Sequence, residues 1–139
     1  MVEETVTVSC WTRACLDRTW DAWTTAAGLQ QWWWPHLPDT TYEIDARDGG
    51  RYAVASAVAR VGARGRFLQV DRPHRLVMTW RWDDDEPLPH TQEDLVEATL
   101  VARGEGTLVT VQHTIRSLKG LAGYSRGWDR ALDRLAQLR

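Results

Sequence analysis

The sequence predicts an α+β domain in which a curved antiparallel sheet of about six to seven strands packs around one long C-terminal helix. Two observations predict this fold. Short alternating segments separated by turn residues fill positions 42 to 116, and apolar side chains recur at the helical period near the C-terminus. The chain has 139 residues, the length of one ordinary domain, and no repeat or low-complexity tract divides it. We therefore expect residues 1–139 to form a single domain.

The first predicted elements are one strand and two short helices. Apolar and polar residues alternate over residues 5–12, which is typical of a half-buried strand. Asp17 offers a side-chain oxygen that is expected to cap a helix extending to about residue 25. Gly28 is expected to separate this helix from a second one, which ends at Pro35.

Further strands are predicted between short turns marked by Gly, Asp and Pro. They are expected at about 42–45, 51–59, 64–70, 76–82, 93–102 and 107–115. The polar segment 83–90 is the longest predicted loop. Because consecutive strands are joined by short turns, an antiparallel meander is expected.

The last predicted element is an amphipathic helix over residues 120–138. Gly120, Gly123 and Gly127 fall on the same stripe as Ala131 in this helix. Each glycine in a helix interior costs about 1 kcal/mol relative to alanine, so three of them indicate that bulk is excluded from this face. We interpret the stripe as one wall of a cavity; close packing of the helix on the sheet is the alternative.

Strand alternation predicts which side chains face this cavity. Met78 and Trp80 share one face of their strand, and this aromatic face is expected to point inward. The same alternation on the other strands is expected to point Tyr52, Phe67, Gln69 and His113 inward. A few polar groups in an apolar lining are typical of a ligand site. The residues expected to line it are Trp33, Tyr52, Phe67, Gln69, Met78, Trp80, His113, Gly123, Tyr124, Gly127 and Trp128.

Composition and charge exclude several classes of protein. The net charge is −2, the pI is about 6.1 and the arginines are scattered, so a nucleic-acid partner is not expected. No apolar run is long enough for a membrane span, and the acidic N-terminus lacks the features of a signal peptide, which favours a cytoplasmic location. Nine tryptophans are the unusual feature, and such rings can wall a core or a cavity.

His113 is the one candidate for acid/base catalysis. A histidine on an apolar strand face can exchange protons near neutral pH, but it can equally be a core residue bonded to a tyrosine or a carbonyl. The sequence contains no Ser-His-Asp order, phosphate loop or HExxH motif. Cys10 and Cys15 lack further metal-ligating neighbours, and the remaining histidines are scattered, so we expect neither a metal nor a cofactor.

Several short motifs, in order, resemble one family. They are Trp20-Asp21-Ala22-Trp23-Thr24, Gln31-Trp32-Trp33, Asp45 with Gly49-Gly50-Arg51-Tyr52, Gly65-Arg66-Phe67, Pro73 with Arg75-Leu76-Val77, Gly106-Thr107, His113 and Gly127-Trp128. The chain resembles the branch of the START-like (SRPBCC) superfamily named after the activator of the 90-kDa heat-shock protein ATPase (AHSA-like). Gln69 stands where this family usually has an acidic residue, and Trp34 adds a third consecutive indole.

The resemblance implies a helix-grip fold (START/Bet v-like) with a cavity between sheet and helix, but it implies no single chemistry. Relatives include lipid and polyketide carriers, polyketide cyclases, antibiotic-sequestering proteins and chaperone activators. Our first hypothesis is a carrier or sequestering protein for a small hydrophobic, aromatic, polyketide- or lipid-like molecule. The alternatives are a cyclase or dehydratase that uses His113, and a chaperone-activating interaction module; a homodimer through a strand edge or Trp11 and Trp34 also stays open.

Overall fold

The computed structural model describes residues 3–83, 93–116 and 124–139. Seven strands in these ranges form one sheet, and the predicted α+β helix-grip fold is confirmed. The strands are β1 (Glu4–Thr12), β2 (Thr41–Ile44), β3 (Arg51–Ser56), β4 (Val61–Asp71), β5 (Arg75–Asp83), β6 (Asp94–Arg103) and β7 (Gly106–Ile115), and the helices are α1 (Leu16–Thr24), α2 (Ala26–Leu29) and α3 (Tyr124–Leu135). None of these helices is long and apolar enough to cross a membrane.

The sheet is the predicted antiparallel meander, with β1 added at one edge. Its strand order is β1-β7-β6-β5-β4-β3-β2, so only the step from β1 to β2 crosses the sheet. β1 pairs with β7 from Glu4 opposite Ile115 to Thr12 opposite Thr107. The two short helices fill the crossover between β1 and β2; α1 contacts β6 and β7, and its Trp23 stacks on Trp128 of α3 with ring centroids 6.2 Å apart.

One face of the sheet forms the core. Alternate residues of β5, β6 and β7 are buried on this face, among them Leu76, Val96 and Val111 at 0% exposure. The α3 backbone lies close to β1. Its distance from the middle strands is spanned by large aromatic side chains, chiefly Trp128. The interior between the sheet and α3 is therefore built mainly of rings.

Buried threonines tie the end of the chain to β1. The Thr12 hydroxyl donates to the Leu138 carbonyl oxygen at 2.9 Å, and the Thr107 hydroxyl donates to the Ala14 carbonyl oxygen at 2.9 Å. These bonds satisfy carbonyl groups that helix and strand ends leave unpaired. The Thr12 bond fixes the segment that follows α3 to β1, and the Thr107 bond fixes β7 to the residues that follow β1.

Two local expectations about the first helices are wrong. The N-cap of α1 is Cys15, which makes no side-chain capping bond, and Asp17 lies in the first turn, where its charge favours the helix dipole. Gly28 lies within α2 and does not separate the helices; the position requires glycine because a Cβ there would lie 2.2 Å from the Asp21 carbonyl oxygen. The chain after Leu29 continues in turns, and the three tryptophans lie there.

Candidate functional site

The aromatic cluster between the sheet and α3 is centred on Trp33, Trp80, Trp128, Tyr124 and His113, and further tryptophans contact these five rings. Trp33 stacks on Trp80 with ring centroids 5.7 Å apart, and Trp80 lies 5.5 Å from Trp128. Tyr124 lies 4.3 Å from His113 and 6.0 Å from Trp80. The structure thus brings together five of the predicted site residues, from β5, β7, α3 and the segment that follows α2.

The outer rim of the aromatic cluster is half-buried. Trp34 packs edge-on against Trp82 with centroids 5.8 Å apart, and Trp82 packs edge-on against Tyr124 at 6.4 Å. All three side chains are partly exposed, whereas Trp33 and Trp80 directly beneath are buried. This rim is the place where the aromatic cluster meets solvent.

Hydrogen bonds from side chains to backbone carbonyl oxygens hold the tryptophan segment in position. Tyr42 donates its hydroxyl to the Trp33 carbonyl oxygen, and Arg134 of α3 donates Nε to the Trp32 carbonyl oxygen at 2.8 Å. Trp34 adopts a φ of 54°, a left-handed conformation that is uncommon for a bulky residue and costs about 1–2 kcal/mol. Contacts with neighbouring residues therefore hold the Trp34 backbone in a conformation that this residue rarely adopts.

Both ring nitrogens of His113 are engaged. Trp128 donates its Nε1 proton to His113 Nδ1 at 3.0 Å, and His113 Nε2 lies 2.9 Å from Asp94 Oδ2. An indole nitrogen can only donate, so Nδ1 must carry the lone pair and Nε2 the proton. The ring is the neutral Nε2-protonated tautomer, and it is fully buried.

Asp94 is the site residue that the sequence analysis missed. Its side chain is 1% exposed and accepts a second hydrogen bond, from the Arg116 backbone N–H to Oδ1 at 2.8 Å. The available signal was its parity, because Asp94 shares the inward face of β6 with Val96 and lies opposite Trp80 in the β5–β6 register. A carboxylate at an inward-facing position of an apolar strand indicates a buried partner.

Tyr52, Phe67 and Met78 lie on the same inner face, farther along the sheet. Tyr52 packs against Phe67 with centroids 5.6 Å apart, and its hydroxyl donates to the Thr79 carbonyl oxygen at 2.6 Å. Burial raises the pKa of Tyr52 well above its usual value, and nearby carboxylates act in the same direction. Tyr52 therefore keeps its proton, and that proton is already bonded.

The orientation predicted for Gln69 is wrong. A β-bulge between Phe67 and Gln69 shifts the register, so that Phe67 lies opposite inward-facing Met78 whereas Gln69 lies opposite outward-facing Val77. Gln69 is exposed, and its Oε1 accepts from Arg75 Nη1 at 3.0 Å. The extra residue reverses the alternation on which the prediction depended.

Gly127 is also misplaced by the prediction. It is exposed, and a Cβ there would meet no atom within 4 Å, because the buried face of α3 passes through Trp128, Leu132 and Leu135. Gly123 lies outside the described residues, as does Gly120. The glycine stripe therefore gives no support to a cavity within the described part of α3.

The remaining titratable groups stand apart from this cluster. Within the described ranges, no three His, Cys, Asp or Glu side chains come together as a metal site. Cys15 is exposed, and Cys10 is partly buried, which raises its pKa to about 11, with the charge of Asp133 as a smaller cause. His74, in the turn between β4 and β5, has its Nδ1 3.1 Å from the Leu100 carbonyl oxygen.

Solved structures share this fold across nearly the whole chain. CalU16 from Micromonospora echinospora is 26% identical, with a TM-score of 0.71, and the match covers 96% of this chain and 74% of CalU16. DynU16, from the dynemicin biosynthetic locus, is 23% identical with a TM-score of 0.76, covering 95% of this chain and 45% of that one. An AHSA1-like protein from Aeromonas hydrophila is 18% identical with a TM-score of 0.74, covering 96% and 90%.

Sequence comparison identifies the family directly. No curated protein matches the chain significantly. The family model described as Activator of Hsp90 ATPase homolog 1-like protein matches residues 13–139, which include both short helices, β2 to β7 and α3. The chain belongs to the family of Activator of Hsp90 ATPase homolog 1-like proteins.

Proposed function

We propose that the protein binds a small, flat, hydrophobic molecule at the aromatic cluster between the sheet and α3, as a carrier or sequestering protein. The observation that carries the proposal is the contact of Trp33, Trp80 and Trp128 beneath a partly exposed rim. Tryptophan ring faces favour flat aromatic ligands, because a ligand ring can stack on a tryptophan in the place of a neighbouring side-chain ring. The family supports ligand binding or a cyclase-type function.

The placement of α3 supports a ligand in this region. Its backbone lies close to β1, and the space toward β5 and β6 is bridged by Trp128 and Tyr124 instead of by close helix packing. Side chains can change rotamer much more readily than a helix can move. Rotation of Tyr124 and Trp34 at the rim would open the ring faces of Trp33 and Trp80 to a guest.

The hydrogen bonds of the cluster favour binding over catalysis. His113 offers neither a free lone pair nor a free proton, because Trp128 and Asp94 engage both nitrogens. The Tyr52 proton is bonded to a backbone carbonyl, and Trp80 Nε1 donates to the Tyr124 hydroxyl at 3.1 Å. A general base needs a lone pair within reach of its substrate, and His113 has none to offer in this arrangement.

The test is a fluorescence titration with flat aromatic polyketides, flavonoids and, for contrast, flexible fatty acids. We expect the flat compounds to quench tryptophan emission, and Trp80→Phe to weaken their binding by about threefold to tenfold, since it removes part of one stacking surface. Trp11→Phe is the matched control, because Trp11 is 43% exposed on the opposite face of the sheet.

Equal weakening by both substitutions, or quenching by no compound, would contradict the proposal. The recovered probe also distinguishes binding from turnover. A changed probe mass with the native protein, absent with His113→Gln, would assign catalysis to His113 instead. An unchanged probe mass together with an unchanged chromatographic retention time supports a carrier, because a cyclisation can proceed without a change in mass.

A further inference from the structure

A separate groove lies on the outer face of the sheet, away from the aromatic cluster. Its volume is about 720 Å³, and outward-facing residues of β2 to β5 line most of it. Four of the lining residues are arginines: Arg51, Arg64, Arg66 and Arg81. This concentration of positive charge is unexpected in a chain whose net charge is −2.

The arginines are arranged as two like-charged pairs across neighbouring strands. Arg51 of β3 lies directly opposite Arg66 of β4, and Arg64 of β4 lies directly opposite Arg81 of β5. Like charges in directly opposed positions destabilise a sheet, because their Cβ atoms are only about 5 Å apart. Two such pairs side by side therefore indicate a role other than holding the sheet together.

The hydrogen bonds of the groove are incompletely satisfied. Asp83 pairs with Arg64, with Nε to Oδ2 at 2.8 Å. Arg81 Nε, in contrast, is buried and has no hydrogen-bond partner among the residues that the structure describes. A buried donor without an acceptor is rare in native structures, so an acceptor from outside the chain fits this position.

Carboxylates flank the arginines without cancelling them. The groove lining also contains Glu43, Asp45 and Glu93, which gives four positive against three negative side chains. Asp45 is already paired with Arg47 at 2.7 Å. Glu43 lies on β2, beside β3, and Glu93 directly precedes β6, beside β5. These carboxylates on both sides of the arginines disfavour a long polyanion such as nucleic acid.

We propose that this outer groove binds a phosphate group, held by Arg51, Arg66 and Arg81. A tetrahedral phosphate can accept several guanidinium forks from different directions, whereas one fork already satisfies a carboxylate. The like-charged pairs then have a common counter-ion. This site is independent of the aromatic cluster, because it occupies the opposite face of the sheet.

The experiment is calorimetric titration with phenyl phosphate and inorganic phosphate at constant ionic strength. We expect saturable binding to the native protein and a loss of about tenfold or more in affinity in the double variant Arg51→Gln/Arg66→Gln, which removes two charge-assisted contacts. The control is Arg13→Gln/Arg103→Gln, which changes the net charge equally at two exposed arginines elsewhere.

Circular dichroism separates loss of binding from loss of fold. The Arg51→Gln/Arg66→Gln variant is expected to keep its spectrum and to melt no lower than the native protein, because it removes a repulsive pair. Flotation with phosphatidic acid vesicles distinguishes a lipid headgroup from a free phosphate ester as the source. Absence of saturable binding to both probes and vesicles, or equal loss of binding in the two double variants, would overturn the proposal.

Discussion

The hydrogen bond from Trp128 determines where the proton of His113 lies. Because an indole can only donate, the imidazole must accept at Nδ1 and donate at Nε2, and Asp94 provides the acceptor. Asp94 in turn receives the Arg116 N–H at its other oxygen. The chain of donors runs in one direction, from Trp128 through His113 to Asp94, and both carboxylate oxygens act as acceptors.

Replacing Asp94 by asparagine is expected to destabilise the protein by about 1–3 kcal/mol, because it leaves a buried donor unsatisfied. Either orientation of the amide places its NH₂ group against another donor, His113 Nε2 or Arg116 N. Urea unfolding measures the change in the free energy of unfolding. Asp129→Asn on the exposed side of α3 is the control and is expected to change it by less than about 0.5 kcal/mol. A similar, small effect of both substitutions would contradict the assigned tautomer.

The two cysteines are expected to differ in reactivity. The pKa of Cys10 is about 11, so at pH 8 only about one thousandth of this thiol is the reactive thiolate. Cys15 is exposed and accessible to reagents. Maleimide labelling followed by mass spectrometry should show rapid modification of Cys15 and slow modification of Cys10.

Raising the pH from 8 to 10 should accelerate Cys10 labelling by about tenfold per pH unit, because the thiolate fraction grows in that proportion below the pKa. The Cys15→Ser variant isolates this slow reaction. Fast labelling of Cys10 at pH 8 in this variant would show that burial does not raise the pKa of its thiol.

At the level of single elements, alternation predicted most of the site. It correctly placed Met78 and Trp80 on the inner face of β5 and His113 on the inner face of β7, where both strands are regular. It misplaced Gln69 because a β-bulge adds a residue to β4. No local feature of the sequence indicates this bulge. Asp94 was missed because its partner, His113, is on the next strand and becomes a neighbour only after pairing.

The glycines of α3 and β4 provide a second test at this scale. Gly127→Ala is expected to raise the free energy of unfolding by about 0.5–1 kcal/mol, because an added Cβ meets nothing and the helix gains propensity. Gly65→Ala is expected to lower it by more than about 2 kcal/mol, since its Cβ would lie 2.0 Å from the Thr79 carbonyl oxygen. Both are measured by urea unfolding.

The affinity of the Gly127→Ala variant for a flat aromatic probe tests whether Gly127 borders the ligand. Unchanged affinity in Gly127→Ala fits its exposed position. A marked loss of affinity would restore the expectation that Gly127 borders the ligand.

At the scale of the whole molecule, the order of elements determines the architecture. Consecutive strands joined by short turns favour an antiparallel meander, and among the described residues α3 is the longest helix that packs on it. The interior could not be predicted in the same way, because the volume left between sheet and helix depends on how far α3 stands from the strands. Nine tryptophans indicated an aromatic interior but not which rings would touch.

A small hydrophobic molecule held by the aromatic cluster should stay with the protein under native conditions and leave it on denaturation. The most direct measurement is native mass spectrometry of the protein after exposure to a small-molecule extract of its host, compared with the mass under denaturing conditions. We expect an additional mass in the native spectrum that is retained in Trp11→Phe and reduced in Trp80→Phe. Equal native and denatured masses, with no ligand taken up from the extract, would contradict it.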